Sequence, residues 1–295
     1  MAVLSPSNLA PKNGGAAPSR PLPFLQIAYG AWGLRLLALG YIAAFVILPV
    51  VVVGVKGLEQ GLNAFWGSLD NHIALSALRL SVWTAAAATL INTLMGTLTA
   101  YVLVKYRFPG KALFNTLIDL PFALPTLVTG VMLVLLYGPQ TILGSLIEEQ
   151  TGLRVLFAPP GIVLALLFVG YPFVIRTVQP VLAELEAHQE EAAQTLGASA
   201  WTTFWRIIFP VIRPAMLTGG LLSFARGLGE FGSIVIVSGN IPMQSQTATT
   251  YIYSQVEGGD MQAASAVSLV LLIIAFTLTL FVDWIRGRNH ARNHA

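Results

Sequence analysis

Arg226 and Glu230 stand four residues apart inside an apolar run, a spacing that puts both side chains on one face of a helix. A charged side chain at the bilayer centre costs about 3 kcal/mol on insertion scales, so such residues face protein or water and have partners. By the helical rise, Arg226 lies about 18 Å from Pro214, near mid-membrane. The pair is either an internal salt bridge that fixes helix packing or a charged element of a pathway. Arg before Glu is the weaker order in isolated helices, which leaves room for an outside partner. Gly219, Gly220, Ser223, Gly227, Gly229 and Gly232 surround the pair, and small residues at this density let helices pack closely. Asp119 also falls inside an apolar run, beside Pro121 and Pro125, which bend a helix and free carbonyls. It is expected to cap such a break or to pair with a neighbouring base. Arg79 opens another run, where its stem can snorkel to the interface or its charge can meet an anion or an acidic surface.

Other chemistry is sparse. The chain has no cysteine, which excludes disulfides, a thiol nucleophile and a Cys-based metal site. His72, His188, His290 and His294 show no metal-ligand spacing within a span, so no metal site is expected. No nucleophile–His–Asp arrangement stands out, and no catalytic residue is assigned. Asn92 and Thr126, polar residues inside spans, read as interhelical glue.

The elements that must position these residues are membrane helices. Of 295 residues, 55% are hydrophobic and 10% charged, with a mean hydropathy of +0.73. A soluble domain carries roughly 25% charged residues, so lipid is the simplest solvent for this chain. Apolar runs at about 34–56, 76–104, 113–138, 159–180, 214–238 and 262–285 are each long enough to cross a core that needs about 20 helical residues. Lipid demands internally bonded backbone, and no short alternating strands of a barrel are seen. The fold class is therefore an all-α integral membrane protein of about six transmembrane helices. Its domains are a disordered cytosolic tail at 1–33, a transmembrane domain at 34–285 with a cytosolic loop at 181–213, and a cytosolic tail at 286–295.

Net charge is +3, but the bases sit at the ends of apolar runs and form no patch, which argues against nucleic acid. With both termini cytosolic, Lys12, Arg20, Arg35, Lys105, Arg107, Lys111, Arg206, Arg213, Arg286, Arg288 and Arg292 lie on the inner side, and Arg176 flanks or occupies the fourth connection. Lys56, Arg79 and Arg154 are left outside.

The 181–213 connection is amphipathic. Gly197 can end a first helix in a left-handed conformation, Ser199 can cap a second through Ile208, and Pro210 and Pro214 mark a turn back into the membrane. Ala192, Ala193, Gly197 and Ala198 line the turn with small side chains that another protein can approach closely. Trp201, Phe204 and Trp205 can anchor the second helix.

This stretch reads Glu191-Ala192-Ala193, Gly197, Ile207, Phe209-Pro210. It resembles the EAA loop of binding-protein-dependent ABC importer permeases: Glu-Ala-Ala, three residues, Gly, nine residues, Ile, one residue, Leu-Pro, with Phe here for Leu. A chance match somewhere in the chain is of order 10⁻⁴ from average residue frequencies. The resemblance implies a type I ABC importer permease architecture in a bacterial plasma (inner) membrane. Glu191, Ala192, Ala193, Gly197, Ala198, Ile207 and Pro210 would dock on a cytosolic ATPase. Further stretches are Lys-Tyr-Arg-Phe-Pro-Gly-Lys at 105–111, Asp119-Leu-Pro-Phe-Ala-Leu-Pro125, Tyr171-Pro-Phe-Val-Ile-Arg-Thr-Val-Gln-Pro180, Ala225-Arg-Gly-Leu-Gly-Glu-Phe-Gly232 and Gly239-Asn-Ile-Pro-Met243. Over about residues 35–285 these resemble sulfate/thiosulfate permeases of the T type, within a group that includes molybdate permeases.

That resemblance implies a homologous second permease, two ATP-binding cassette subunits, a periplasmic sulfate-binding protein and surrounding membrane lipid as partners. ATP and Mg would be bound by the ATPase subunits, with no cofactor in this chain and no catalysis by it. Arg226 and Glu230, with Asp119 and Arg79, would be gate or pathway residues, Arg226 helping a dianion through. The alternatives are a molybdate or tungstate permease, an ion-coupled secondary transporter, which would show inverted repeats and no use for such a loop, and a membrane scaffold without flux.

Overall fold

The structure is a computed structural model. It describes residues 28–185, 192–193 and 195–293; of the side chains in 28–31, at 283 and in 285–293 nothing is said. All described secondary structure is helical. Contacts divide the chain into two units, Met1–Val50 and Val51–Ala295.

The first unit holds α1 (Ala28–Ile42) and a π-turn at Ala43–Ile47. From Trp32 on, its side chains are almost all apolar and exposed, among them Leu36, Leu37 and Phe45, as a helix solvated by lipid requires. Helix α2 (Leu48–Leu58) completes a span, Trp32–Leu58.

In the second unit α3 (Leu62–Leu69) precedes α4 (His72–Lys105), which Asn71 caps by accepting from Ile73 N at 2.9 Å. Then come α5 (Lys111–Ala123), α6 (Thr126–Tyr137), α7 (Ile142–Thr151) and α8 (Pro159–Glu184). After the loop, α9 (Ala200–Thr203), a π-turn (Phe204–Ile208) and α10 (Phe209–Leu228) form one run. Helices α11 (Gly232–Val237), α12 (Ala248–Glu257) and α13 (Met261–Asn293) end the chain. Five helices are long and apolar enough to cross a membrane, or six if the pair α5–α6 counts as one broken span. The expectation of about six is thus met.

The core is a three-helix contact of α4, α8 and α10 made close by glycine. A Cβ on Gly96 would lie 2.9 Å from Val174 Cβ, and one on Gly219 would lie 2.9 Å from Val174 Cα, so α8 is gripped from both sides. At the same depth Asn92 donates to the Leu167 carbonyl at 3.2 Å and to Ser223 Oγ at 3.4 Å, joining all three helices. Asn92 is interhelical glue, as expected.

Several boundaries differ from expectation. The run expected at 113–138 is two helices bent by 111°. Leu124 is extended (φ −84°, ψ 134°) because a residue before proline is pushed out of the helical region, and the prolines had pointed to a bend here. Arg176 lies within α8 and not in a connection. Pro210 and Pro214 do not turn the chain. They lie inside a helix that runs from Ala200 to Leu228, and the π-turn just before Pro210 widens the frame, with Phe209 N–H donating to the Phe204 carbonyl. The fifth span therefore starts fourteen residues before position 214 and breaks at 229–231, with α11 beyond. The expected tail at 286–295 continues α13 as helix to Asn293, since its Arg and Ala residues favour helix and need no apolar surroundings. Residues 1–27 lie outside the described residues. Helices α3, α7 and α12 were not anticipated.

Candidate functional site

Two charged clusters and one loop carry the polar chemistry of the second unit. The first cluster sits at the break between α10 and α11. Glu230 is 1% exposed although it is a carboxylate. Its Oε2 lies 2.7 Å from Arg226 Nη1, and its Oε1 accepts from Ser233 N and Ser233 Oγ, both at 2.9 Å. A buried charge is tolerable only when paired and hydrogen-bonded, and here both oxygens are. The carboxylate also serves the backbone: it takes the N–H of Ser233, an orphan donor in the first turn of α11. A Cβ at Gly232 would lie 2.1 Å from Thr126 Oγ1, so the start of α11 meets the start of α6. Two helix breaks thus come together, and α11 then lies along α6, with Gly130 against Ser233 and Ile236. Arg226 is about one-third exposed, and Glu230 is its only partner among the described residues.

The second cluster lies between α5 and α8. Arg176 Nε and Nη2 hold Asp119 Oδ1 and Oδ2 at 2.7 and 2.6 Å, a bidentate fork. Nη2 also reaches the Asn115 carbonyl at 2.8 Å, and Nη1 reaches Gln179 Oε1 at 2.8 Å and Asn115 Oδ1 at 3.3 Å. All five guanidinium hydrogens are thereby used. Asp119 thus has the neighbouring base as its partner. Arg79 is exposed in the second turn of α4 and is not brought to either cluster.

Beside these breaks an apolar cavity of about 800 Å³ is lined by Asn92, Met95, Pro121, Met132, Phe168 and Tyr171 among others. Two of its polar groups bond to protein: Tyr171 Oη meets Thr99 Oγ1 at 2.5 Å, and Asn92 bonds as above.

The loop has the local geometry that its residues imply. Gly197 has φ +80°, a conformation that strains any other residue, and Ala198 N–H closes the turn on the Ala193 carbonyl at 2.9 Å. Ser199 Oγ accepts from Thr202 N at 3.2 Å and caps α9. Ala192, Leu196, Gly197 and Trp201 are exposed, Leu196 at 88%, and a Cβ at Gly197 would meet nothing within 4 Å. Ala198 and Ile207 are partly buried and Pro210 is exposed. Glu191 lies outside the described residues. Beyond the turn the chain is anchored: Phe204 packs edge-on against Tyr101 at 5.9 Å, and Ile208 and Ile212 enter a core with Leu103, Ile118, Val178 and Leu182.

Sequence reasoning missed Ser233 as the partner of Glu230 and the role of Arg176. A base within the long apolar run 159–184 was the available signal for Arg176; Ser233 had none, because a serine three residues past a glutamate is commonplace.

Residues 92–293 match the model of a family described as binding-protein-dependent transport system inner membrane component. The chain is 42% identical over 253 residues to a probable sulfate transport system permease protein cysT of Chlorokybus atmophyticus, covering 86% of this chain and 88% of the relative. It is 40% identical to the sulfate transport system permease protein CysT of Synechocystis sp., covering 86% and 89%. Among solved structures, a chain of a bacterial alginate ABC transporter matches with a TM-score of 0.72 at 17% identity, covering 88% of this chain and 94% of that one. The last likeness is one of fold.

Proposed function

The chain belongs to the binding-protein-dependent transport system inner membrane component family, and from that premise we propose that it is a membrane permease subunit of an ATP-driven sulfate or thiosulfate importer. The sulfate assignment is supported by identities near 40% over most of the chain to permeases named for sulfate transport. Coupling is carried by one observation: a single helical run leads from the exposed turn at Gly197 through Ala200–Leu228 to the Arg226–Glu230 break. Force applied at the turn has a stiff path of roughly 40 Å, by the 1.5 Å rise, to the place where the fifth span is interrupted.

In this reading both termini are cytosolic in a bacterial inner membrane. Glu191, Ala192, Ala193, Gly197, Ala198, Ile207 and Pro210 form the docking loop for an ATPase subunit. Two ATPase subunits, a homologous second permease and a periplasmic sulfate-binding protein complete the assembly. ATP and Mg are bound by the ATPase subunits, and this chain performs no catalysis. It offers pathway, gate and coupling. Arg226 meets the dianion with its unused donors as it passes, keeping its bond to Glu230, while Ser233 holds Glu230 in place. Asp119, with every oxygen occupied by Arg176, braces the third span instead of touching the anion. Arg79 remains an interfacial base.

The test is labelled sulfate uptake by cells that carry Gly197→Asp in place of the native chain. The variant places a side chain at φ +80°, which costs about 1 kcal/mol or more, and a charge on the docking face. Loss of uptake with normal membrane insertion is expected. Uptake equal to wild type would refute the coupling role, and a deletion that spares sulfate but abolishes molybdate uptake would change the substrate.

A further inference from the structure

Where the fifth span breaks, the backbone of Glu230 is held as firmly as its side chain. Helix α11 restarts one residue later, with Val235 N–H donating to the Phe231 carbonyl at 2.8 Å. The Glu230 carbonyl is taken by another element: Thr249 Oγ1 donates to it at 2.8 Å. Thr249 lies in the first turn of α12, and the Phe231 ring meets Tyr253 one turn further along at 5.2 Å. So α12 grips the break at two consecutive residues.

Helix α12 is itself stiffly mounted. Ala248 N–H donates to Ser81 Oγ of α4 at 2.8 Å, and Thr247 and Thr250 form a reciprocal cap. Tyr251 is 1% exposed, in a cluster with Ala74, Ala77 and Val267, and burial first, then the charge of Asp260, pushes its phenol pKa upward. The loop that leads into α12 is fastened to its far half: Asn240 Nδ2 donates to Ser254 Oγ at 2.8 Å, and Gln246 Nε2 donates to Asn240 Oδ1 at 3.0 Å. Beyond them lie the exposed Tyr253 and Glu257, joined at 2.5 Å. With both termini cytosolic, as proposed above, α12 and its loop lie between the fifth and sixth spans on the outer side.

We propose that Thr249 is a positioning residue that passes displacement of α12 from the outer face to the Arg226–Glu230 break. Its hydroxyl touches no substrate; it acts through the Glu230 carbonyl, which is one residue's backbone away from the carboxylate on Arg226. Docking of the substrate-loaded binding protein displaces α12, and the Thr249–Glu230 bond carries that movement into the gate. The inference rests on the importer reading and on its orientation.

The assembled importer in proteoliposomes tests it, by ATP turnover with and without the sulfate-loaded binding protein. For Thr249→Val, basal turnover is expected to stay and stimulation to fall roughly five-fold or more, the usual scale of coupling between sites. Thr249→Ser, which keeps the hydroxyl, is expected to restore stimulation. A merely structural threonine would lower basal and stimulated turnover together. Equal stimulation in wild type and Thr249→Val overturns the proposal, as does a loss that Thr249→Ser fails to rescue. If Thr249→Val does not assemble, Thr249→Ala replaces it with the same expectation, and failure of both to assemble counts against the proposal. A wild-type complex that takes up no sulfate refutes the importer reading instead, before any variant is compared.

Discussion

Two of the arginine–carboxylate pairs among the described residues, Arg176–Asp119 and Arg226–Glu230, lie near breaks in membrane spans, and they are built to opposite specifications. Arg176–Asp119 joins the first half of the broken third span to α8 with all five donors occupied, yet Asp119 is half exposed. Arg226–Glu230 joins the last turn of α10 to the break just beyond it through one contact, with the carboxylate sealed from solvent and the guanidinium partly open. In the first pair the arginine is saturated and the acid has surface to spare. In the second the acid is saturated, by Arg226 and Ser233, and the arginine has donors to spare. A saturated arginine can only brace. One with unused donors, beside a buried acid that cannot leave, can take a second anion without abandoning its first.

Glu230→Ala strikes at the deeper pair and should have the largest effect. It strips the partner from Arg226 and the acceptor from Ser233, and breaking a buried ion pair costs about 3 kcal/mol, the low end of the range because Arg226 is partly exposed. Thermal unfolding of the purified complex reads it, and an unchanged midpoint would erase the contrast between the pairs. Arg226→Met keeps the stem and removes the charge. Sulfate uptake should fall about ten-fold or more at normal membrane level, the loss expected for one charge-assisted contact; wild-type uptake would reduce this pair, too, to a brace. Arg176→Lys should matter least. A lysine cannot make the fork, but the pair is half exposed, so the loss is about 1 kcal/mol or less with uptake retained. A selective loss of sulfate uptake here would reverse the assignment of the two roles.

Much of this was legible in the residues. The spacing from Ala192 to Pro210 marked the cytosolic-loop motif by its resemblance to the family, and Gly197 and Ser199 adopt the left-handed and capping geometries that their types announce. The four-residue step from Arg226 to Glu230 placed them on one face, and Asp119 beside Pro121 and Pro125 implied a bend and either a cap or a basic partner. What stayed hidden was set by contacts distant in sequence. Asp119 and Arg176 are 57 residues apart, and Thr249 of α12 and Glu230 of the break are 19 apart. Proline also misled: Pro210 and Pro214 read as a turn, but a π-turn lies just before Pro210, which opens α10, and the helix runs on through Pro214.

The sequence by itself determined the solvent, the helical character and the family. Lipid imposes length and apolarity on each span independently, and the Glu-Ala-Ala to Pro210 motif is local enough to survive as a string. Only the tertiary structure decided where the fifth span begins and ends, that two helix breaks meet, and which arginine keeps free donors. Those outcomes depend on which side chains compete for the same hydrogen bonds once α4, α8 and α10 have closed on their glycines, and no spacing along the chain encodes that competition.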